Sequence, residues 1–136
     1  MGRGTRTVIL LDTNALLWLL HADGRLGDRS RKAIDAATVV YCSSVSSSEL
    51  TIKHMLGRLA LPGGDRFPAA FSDAGLRELP FTSAHATAML RFPALTRHDP
   101  FDRMILAQAD AERLTLLTSD STLLALGQTW IQDARV

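Results

Sequence analysis

The chain has 136 residues, of which 46% are hydrophobic, and its formal net charge is only +1. This length predicts a single domain, which can fold without disulfides or a structural metal. No apolar run approaches the ~20 residues of a membrane helix or forms the core of a signal peptide, so neither membrane insertion nor secretion is expected. Cys42 is the only cysteine, which excludes an internal disulfide and suits a reducing cytoplasm.

Strand-like and helix-like patterns alternate along the chain, after a polar start at residues 1–6 that is expected to be flexible. Short apolar or β-branched runs predict strands, and runs with helical periodicity predict helices. In chain order, the predicted elements are a strand at 7–11, helices at 14–21 and 28–37, a strand at 38–42, helices at 45–59 and 65–74, a strand at 76–79, helices at 84–91 and 100–113, a strand at 114–118, a helix at 120–126 and a strand at 129–131.

Several residues at the predicted helix ends have the chemistry that such ends require. Asp28 or Ser30 is expected to cap the second helix, and Ser83 the helix after the third strand. The turn at residues 62–64 (PGG) is expected to end the helix at 45–59. Pro100 occupies a first helical position, where proline is favoured.

The alternation of strands and helices predicts an α/β fold, in which a mostly parallel central sheet has helices on both faces. In such sheets the binding crevice lies beyond the carboxyl ends of the strands. Asp12 and Asp120 each follow a predicted strand, so both are expected at that edge. Either residue could instead serve only as the N-cap of the helix that follows it.

Glu49 lies on the apolar side of its predicted helix. Steps of three and four residues place it in one row with Val45, Ile52, Leu56 and Leu59. Burying an unpaired carboxylate costs several kcal/mol or forces its protonation. A purely structural role would therefore require a buried Arg or Lys partner, whereas a functional role requires a cation in a pocket. The sequence favours the functional role.

Two acids flank Pro100 at the start of the sixth helix, and they are expected to differ in role. Asp99 precedes the proline and is the natural N-cap. Asp102 lies in the first turn, on the side of the helix that also carries Ile105, Leu106 and Ala109. The sequence therefore assigns the cap to Asp99 and the chemistry to Asp102.

The acids singled out above are hard oxygen ligands, which select Mg²⁺ or Mn²⁺ rather than zinc. Such a site activates a water and neutralises a scissile phosphate, which is the chemistry of phosphodiester hydrolysis. A zinc site would have to use Cys42 or the histidines, and no pair of these has zinc-ligand spacing. The histidines are expected to be surface or satisfied core residues: His21, His54, His85 and His98.

Four segments match a known family in sequence order. They are LDTNALLW at residues 11–18, SEL at 48–50, HDPFDRMILAQA at 98–109 and LTSD at 117–120. With these motifs, nearly the whole chain resembles a PIN-domain ribonuclease of the VapC type, the toxin of a type II toxin–antitoxin pair. The final segment, residues 127–136, is less typical of that family.

The resemblance implies a catalytic quartet that binds Mg²⁺ or Mn²⁺, formed by Asp12, Glu49, Asp102 and Asp120. It also implies that two neighbours orient the quartet by hydrogen bonds, namely Asn14 and Thr118. The implied substrate is RNA. The implied partners are a second copy of the chain, in a homodimer, and an antitoxin that blocks the site in a hetero-oligomer.

Arg97 and Arg103 flank the third acidic segment and are candidate contacts for RNA phosphates. Arginines on a solvated helix surface would explain them equally well. 

Two alternatives to a nuclease stay open. The first is a catalytically silent partner-binding module whose acids serve folding only. The second, less favoured, is a receiver-like domain that accepts a phosphoryl group on an Asp. That chemistry needs a paired acid after the first strand and a late lysine, but no acid follows Asp12 directly and no lysine lies beyond Lys53.

Overall fold

Five strands and seven α-helices lie within residues 7–136, the part of the chain that this computed structural model describes. The strands are β1 (Val8–Leu11), β2 (Val39–Ser43), β3 (Arg77–Leu79), β4 (Thr115–Thr118) and β5 (Ile131–Asp133). The helices are α1 (Thr13–Leu20), α2 (Asp28–Ala36), α3 (Ser44–Met55), α4 (Ala69–Asp73), α5 (Ser83–Ala88), α6 (Pro100–Glu112) and α7 (Ser121–Leu124). No helix in this range is long and apolar enough to cross a membrane. The flexibility expected of residues 1–6 concerns residues outside the described range.

The strands form one sheet in the order β3-β2-β1-β4-β5, and every neighbouring pair runs parallel. β1 lies at the centre, where Leu10 is level with Tyr41 of β2 and with Leu116 of β4. The α/β fold predicted from the alternating pattern is therefore confirmed. Because all strands share one direction, their carboxyl ends meet at a single edge.

Each face of the sheet has its own hydrophobic core, because alternate side chains of a strand point to opposite faces. Ile9 and Leu11 of β1 pack on one face with Leu16 of α1 and Leu50 of α3. Leu10 packs on the other face with buried residues of α6, namely Ile105, Leu106 and Ala109. Helices therefore cover both faces, as the sequence predicted, and these cores fix the strand ends that hold the acids.

Helix α3 ends at Met55, four residues before the predicted end. Gly57 takes a left-handed conformation, with φ of 74°, and its N–H donates to the carbonyl of His54. The N–H of Arg58 donates to the carbonyl of Lys53, which completes a Schellman cap. The prediction that residues 62–64 end this helix is wrong, because the glycine at position 57 closes it first.

The shorter helix also changes which of its apolar residues are buried. Val45 is 5% exposed, but Ile52 is 44% exposed and Leu56 is 61% exposed. The predicted apolar row is thus buried only in the first half of α3, where it includes Glu49. The burial of Glu49 follows from its place near the sheet rather than from a continuous buried stripe.

Two predicted N-caps are wrong. The N-cap of α2 is Gly27, not Asp28 or Ser30, and its N–H donates to the carbonyl of Ala134. The C-terminal segment packs so closely there that a side chain at position 27 would overlap the backbone of Val136.

Helix α5 is capped by Thr82 rather than by Ser83. Thr82 Oγ1 accepts from the His85 N–H, and His85 Nδ1 accepts from the Thr82 N–H. This reciprocal capping box satisfies two backbone donors, which a cap at Ser83 could not do with the same residues. The helix predicted at 84–91 starts at Ser83 and passes into a 3₁₀ turn at Met89–Arg91.

The last strand lies two residues later than predicted, because the chain still turns at residues 129–130. The Ile131 N–H donates to the carbonyl of Gln128 within this turn. The helical pattern at 65–74 is likewise divided into a 3₁₀ turn at Gly64–Arg66 and the short helix α4. The remaining predicted ends lie within two residues of the observed ones.

Candidate functional site

Asp12 lies directly after the central strand and is held by three hydrogen bonds. Its Oδ1 accepts from the Ala15 N–H (2.7 Å), and its Oδ2 accepts from Thr118 Oγ1 (2.7 Å) and the Ser119 N–H (3.2 Å). Burial raises the pKa of this carboxyl, the hydrogen bonds oppose that rise, and the negative charge of Glu49 adds to it. Asp12 is thus both the N-cap of α1 and a buried acid fixed in one orientation.

Glu49 is a second buried acid, and both of its oxygens have partners. Oε1 accepts from Thr13 Oγ1 at 2.7 Å, and Oε2 lies 3.0 Å from Lys53 Nζ, one helical turn away. Thr13 Oγ1 also contacts Ser46 Oγ at 2.9 Å. A basic partner is therefore present, although it is not the buried Arg or Lys that a purely structural role would require. The Lys53 side chain is 40% exposed, so this ion pair lies at the rim of the site.

His98, Asp102 and Asp120 form a compact cluster next to Asp12. His98 Nε2 lies 3.1 Å from Asp120 Oδ2 and 3.5 Å from Asp102 Oδ2. One ligand atom from each residue lies within 4.8 Å of the other two. Asp120 also caps α7, because its Oδ1 accepts from the Leu123 N–H. The sequence predicts a surface or satisfied core residue at His98; its side chain is partly buried, and its imidazole contacts two of the acids.

The two acids of the cluster have opposite pKa shifts. Burial, a hydrogen bond to Asp120 and the charges of Asp99, Asp120 and Asp12 raise the pKa of Asp102 to about 8. Burial also acts to raise the pKa of Asp120, but hydrogen bonds from the Leu123 N–H, Asp102 and His98 outweigh it and lower that pKa. Of the two, Asp102 is therefore the carboxyl group with the higher pKa, mainly because it is buried and then because acidic neighbours surround it.

The other predicted site residues lie around this edge. Asp99 is exposed and is the N-cap of α6, where its Oδ1 accepts from the Asp102 N–H. Thr118 Oγ1 donates to Asp12 and accepts from the Asp120 N–H at 3.0 Å, so it links two acids. The amide of Asn14 donates to Ser119 Oγ at 3.3 Å rather than to a carboxylate.

The two candidate arginines do not join the acids. Within residues 7–136, neither Arg97 nor Arg103 forms an ion pair with any of the four acids. Arg97 is exposed in the connection before α6. Arg103 instead lines an apolar cavity beside α5, together with Ala86, Leu95 and Leu106.

Three contacting residues were missed from the sequence, although each had a weak local signal. Lys53 is four residues after Glu49, which is the spacing of a helical ion pair. Thr13 directly follows Asp12. His98 begins the third acidic segment and is four residues before Asp102. None of these signals indicates by itself that the side chain points towards the acids.

The donor set fits a divalent cation. His98, Asp102 and Asp120 provide carboxylate oxygens and an imidazole nitrogen at one small site, and Mn²⁺ and Mg²⁺ favour carboxylate ligands. The charges of Asp99, Asp120 and Asp12 contribute to the raised pKa of Asp102, and a cation bound among these acids would offset them. Such an arrangement can bind a cation and bring it to a phosphate diester.

Comparison with known proteins shows which family the chain belongs to. Residues 9–127 match the family described as PIN domain. The chain belongs to the PIN-domain family. Members of this family are generally nucleases, and the acidic edge of this PIN domain has the chemistry that such an activity requires. No curated protein sequence matches the chain.

Solved structures share the fold of this PIN domain at low sequence identity. VapBC2 from Rickettsia felis, bound to a promoter DNA fragment, is 14% identical with a TM-score of 0.64, covering 93% of this chain and 96% of that chain. A toxin–antitoxin complex from Klebsiella pneumoniae is 21% identical with a TM-score of 0.64, covering 93% and 97%. DNA-bound VapBC from Salmonella typhimurium is 20% identical with a TM-score of 0.62, covering 93% and 96%.

Proposed function

We propose that this PIN domain is a metal-dependent endoribonuclease that acts as the toxin of a toxin–antitoxin pair. The observation that carries this proposal is the His98–Asp102–Asp120 cluster, in which one ligand atom from each residue lies within 4.8 Å of the other two. Family membership supports nuclease chemistry, and the similarity to VapBC complexes supports the toxin role.

In this proposal each acid has a part that follows from its surroundings. Asp102 and Asp120, with His98 beside them, would hold Mg²⁺ or Mn²⁺. Asp12 and Glu49 would complete the quartet of acids around the cation, since the charge of Asp12 acts on Asp102 and that of Glu49 acts on Asp12. The bound cation would supply positive charge to the scissile phosphate and lower the pKa of a water. Thr118 fixes the carboxylate of Asp12, and Thr13 fixes that of Glu49, so that both face the substrate in one orientation.

The proposed partners follow from the fold and from charge. Structures of the same fold are toxin–antitoxin complexes, so we propose an antitoxin for this chain as well. An inserted Arg or Lys side chain would match the acidic site and block it. A homodimer, an RNA substrate and a cytoplasmic location complete the proposal.

The direct test is RNA cleavage by Asp12→Asn in the presence of Mn²⁺. Asp12→Asn should abolish cleavage because it removes a fixed charge at the centre of the sheet edge. Asp35→Asn is the matched control, since it removes an exposed acid from α2. Circular dichroism should show that both variants are folded. Full activity of Asp12→Asn, or cleavage that persists in EDTA, would contradict the proposal.

The Lys53–Glu49 ion pair favours a second candidate, a partner-binding PIN domain without activity. This pair satisfies a buried carboxylate without any metal. In that case the wild-type protein would cleave no RNA, and Asp12→Asn would bind the antitoxin as tightly as the wild type does. The receiver-like alternative is wrong, since the chain belongs to the PIN-domain family.

A further inference from the structure

Within residues 7–136, two basic side chains form ion pairs with the four acids: Lys53 pairs with Glu49, and His98 pairs with Asp102 and Asp120. The Nζ of Lys53 lies 3.0 Å from Glu49 Oε2, and the Glu49 side chain is only 11% exposed. The cation therefore neutralises a nearly buried carboxylate. Lys53 was not among the residues that the motifs of the sequence indicated.

The backbone of this lysine is fixed in the helix end, while its side chain is partly exposed. Lys53 lies in the last turn of α3, and its carbonyl accepts from the Arg58 N–H in the Schellman cap. The side chain reaches back one turn to Glu49 and is 40% exposed. A flexible four-carbon side chain at this rim can leave the carboxylate for solvent without moving the helix.

The two oxygens of Glu49 differ in what they can accept. Oε1 accepts a hydrogen bond from the neutral hydroxyl of Thr13, and that bond is compatible with a nearby cation. Oε2 faces the positive charge of Lys53, which repels any divalent cation that approaches the same carboxylate. A divalent cation that bound at Oε2 would therefore have to displace the ammonium group of Lys53.

We infer that Lys53 is an internal counter-ion of Glu49 that competes with the divalent cation and must leave Oε2 when the metal binds. This inference rests on the proposed function, because it assumes that a cation binds at the acidic edge. Lys53 is thus a positioning residue that sets the metal affinity of the site from its rim.

The test is a calorimetric titration of the metal-free protein with Mn²⁺. Lys53→Met should bind Mn²⁺ roughly fivefold more tightly than the wild type, which is the contribution expected of a partly exposed ion pair. Lys32→Met is the matched control, because Lys32 is the other lysine of the chain and lies exposed on α2. It removes the same formal charge and should leave the Mn²⁺ affinity unchanged.

A second pair of variants tests whether the effect acts through Glu49. In a Glu49→Gln background, adding Lys53→Met should change the Mn²⁺ affinity little, because no carboxylate remains for the two cations to share. Lys53→Gln should repeat the gain of Lys53→Met with a polar side chain, which keeps the test valid if the methionine variant folds poorly.

The possible outcomes separate this inference from the proposed function. Equal Mn²⁺ affinity of the wild type and Lys53→Met, with RNA cleavage intact, would overturn the counter-ion role alone. Weaker binding by Lys53→Met would also overturn it, since the lysine would then be ordering Glu49 for the metal. Absence of Mn²⁺ binding by every variant and by the wild type would overturn both proposals.

Discussion

The carboxyl group of Asp102 should make the stability of the metal-free protein depend on pH. Its pKa is raised from 3.8 to about 8, mainly by burial and then by the hydrogen bond to Asp120. Between these two values the folded protein holds a proton that the unfolded chain has lost. The free energy of unfolding should therefore fall as the pH rises from about 4 through about 8.

The size of this fall in the free energy of unfolding follows from the pKa shift of Asp102 and from the exposure of its side chain. When the folded protein holds one proton more than the unfolded chain, the free energy of unfolding falls by about 1.4 kcal/mol per pH unit. From about pH 5 to pH 8 this gives at most about 4 kcal/mol. The Asp102 side chain is 26% exposed, so water screens part of its interactions. We therefore expect about half of that ceiling, roughly 2 kcal/mol.

Asp102→Asn tests this value, because an amide does not titrate over this range. Urea unfolding in EDTA would be measured for the wild type and the variant between about pH 5 and pH 8. The free energy of unfolding of Asp102→Asn, relative to that of the wild type, should rise by about 2 kcal/mol from the lower to the higher pH. Asp99→Asn is the control: it retains an N-cap side chain and should keep most of the wild-type pH dependence. Parallel curves for Asp102→Asn and the wild type would refute the reasoning.

Three further predictions concern buried positions. Thr118→Val should lower the free energy of unfolding by about 2 kcal/mol, because buried Asp12 loses a hydrogen-bond donor; an unchanged urea midpoint would contradict this. Gly27→Ala should destabilise by about 1–3 kcal/mol in thermal unfolding, since the new methyl group overlaps the backbone of the C-terminal residue, whereas Gly24→Ala meets open space and should be neutral. Burial raises the pKa of the Cys42 thiol to about 11, so maleimide at about pH 8 should label Cys42 slowly in the native protein and quickly in urea.

The parallel sheet was predictable because its signals are local. Ile9, Leu10 and Leu11 form a continuous apolar run, which is what a strand buried on both faces requires. An acid directly after such a strand must then lie at the carboxyl edge. This reasoning placed Asp12 and Asp120 correctly at that edge before any packing was considered.

The end of α3 shows where local reasoning failed. Apolar residues continue beyond Met55 at Leu56 and Leu59, so periodicity alone extended the helix to residue 59. Gly57 offers the left-handed conformation that closes the helix, and apolar periodicity does not contain this signal. Whether Ile52 is buried depends on what packs against it, and in the described structure it is largely exposed.

The sequence by itself determined the α/β fold and the acids of the candidate site, since both follow from short runs of neighbouring residues. Only the tertiary structure decided which groups serve those acids. Thr13 of α1 donates to Glu49 of α3, and His98 reaches Asp120 from the connection before α6. Such contacts join residues far apart along the chain, and strand register and helix packing set their distances. No local pattern contains that information.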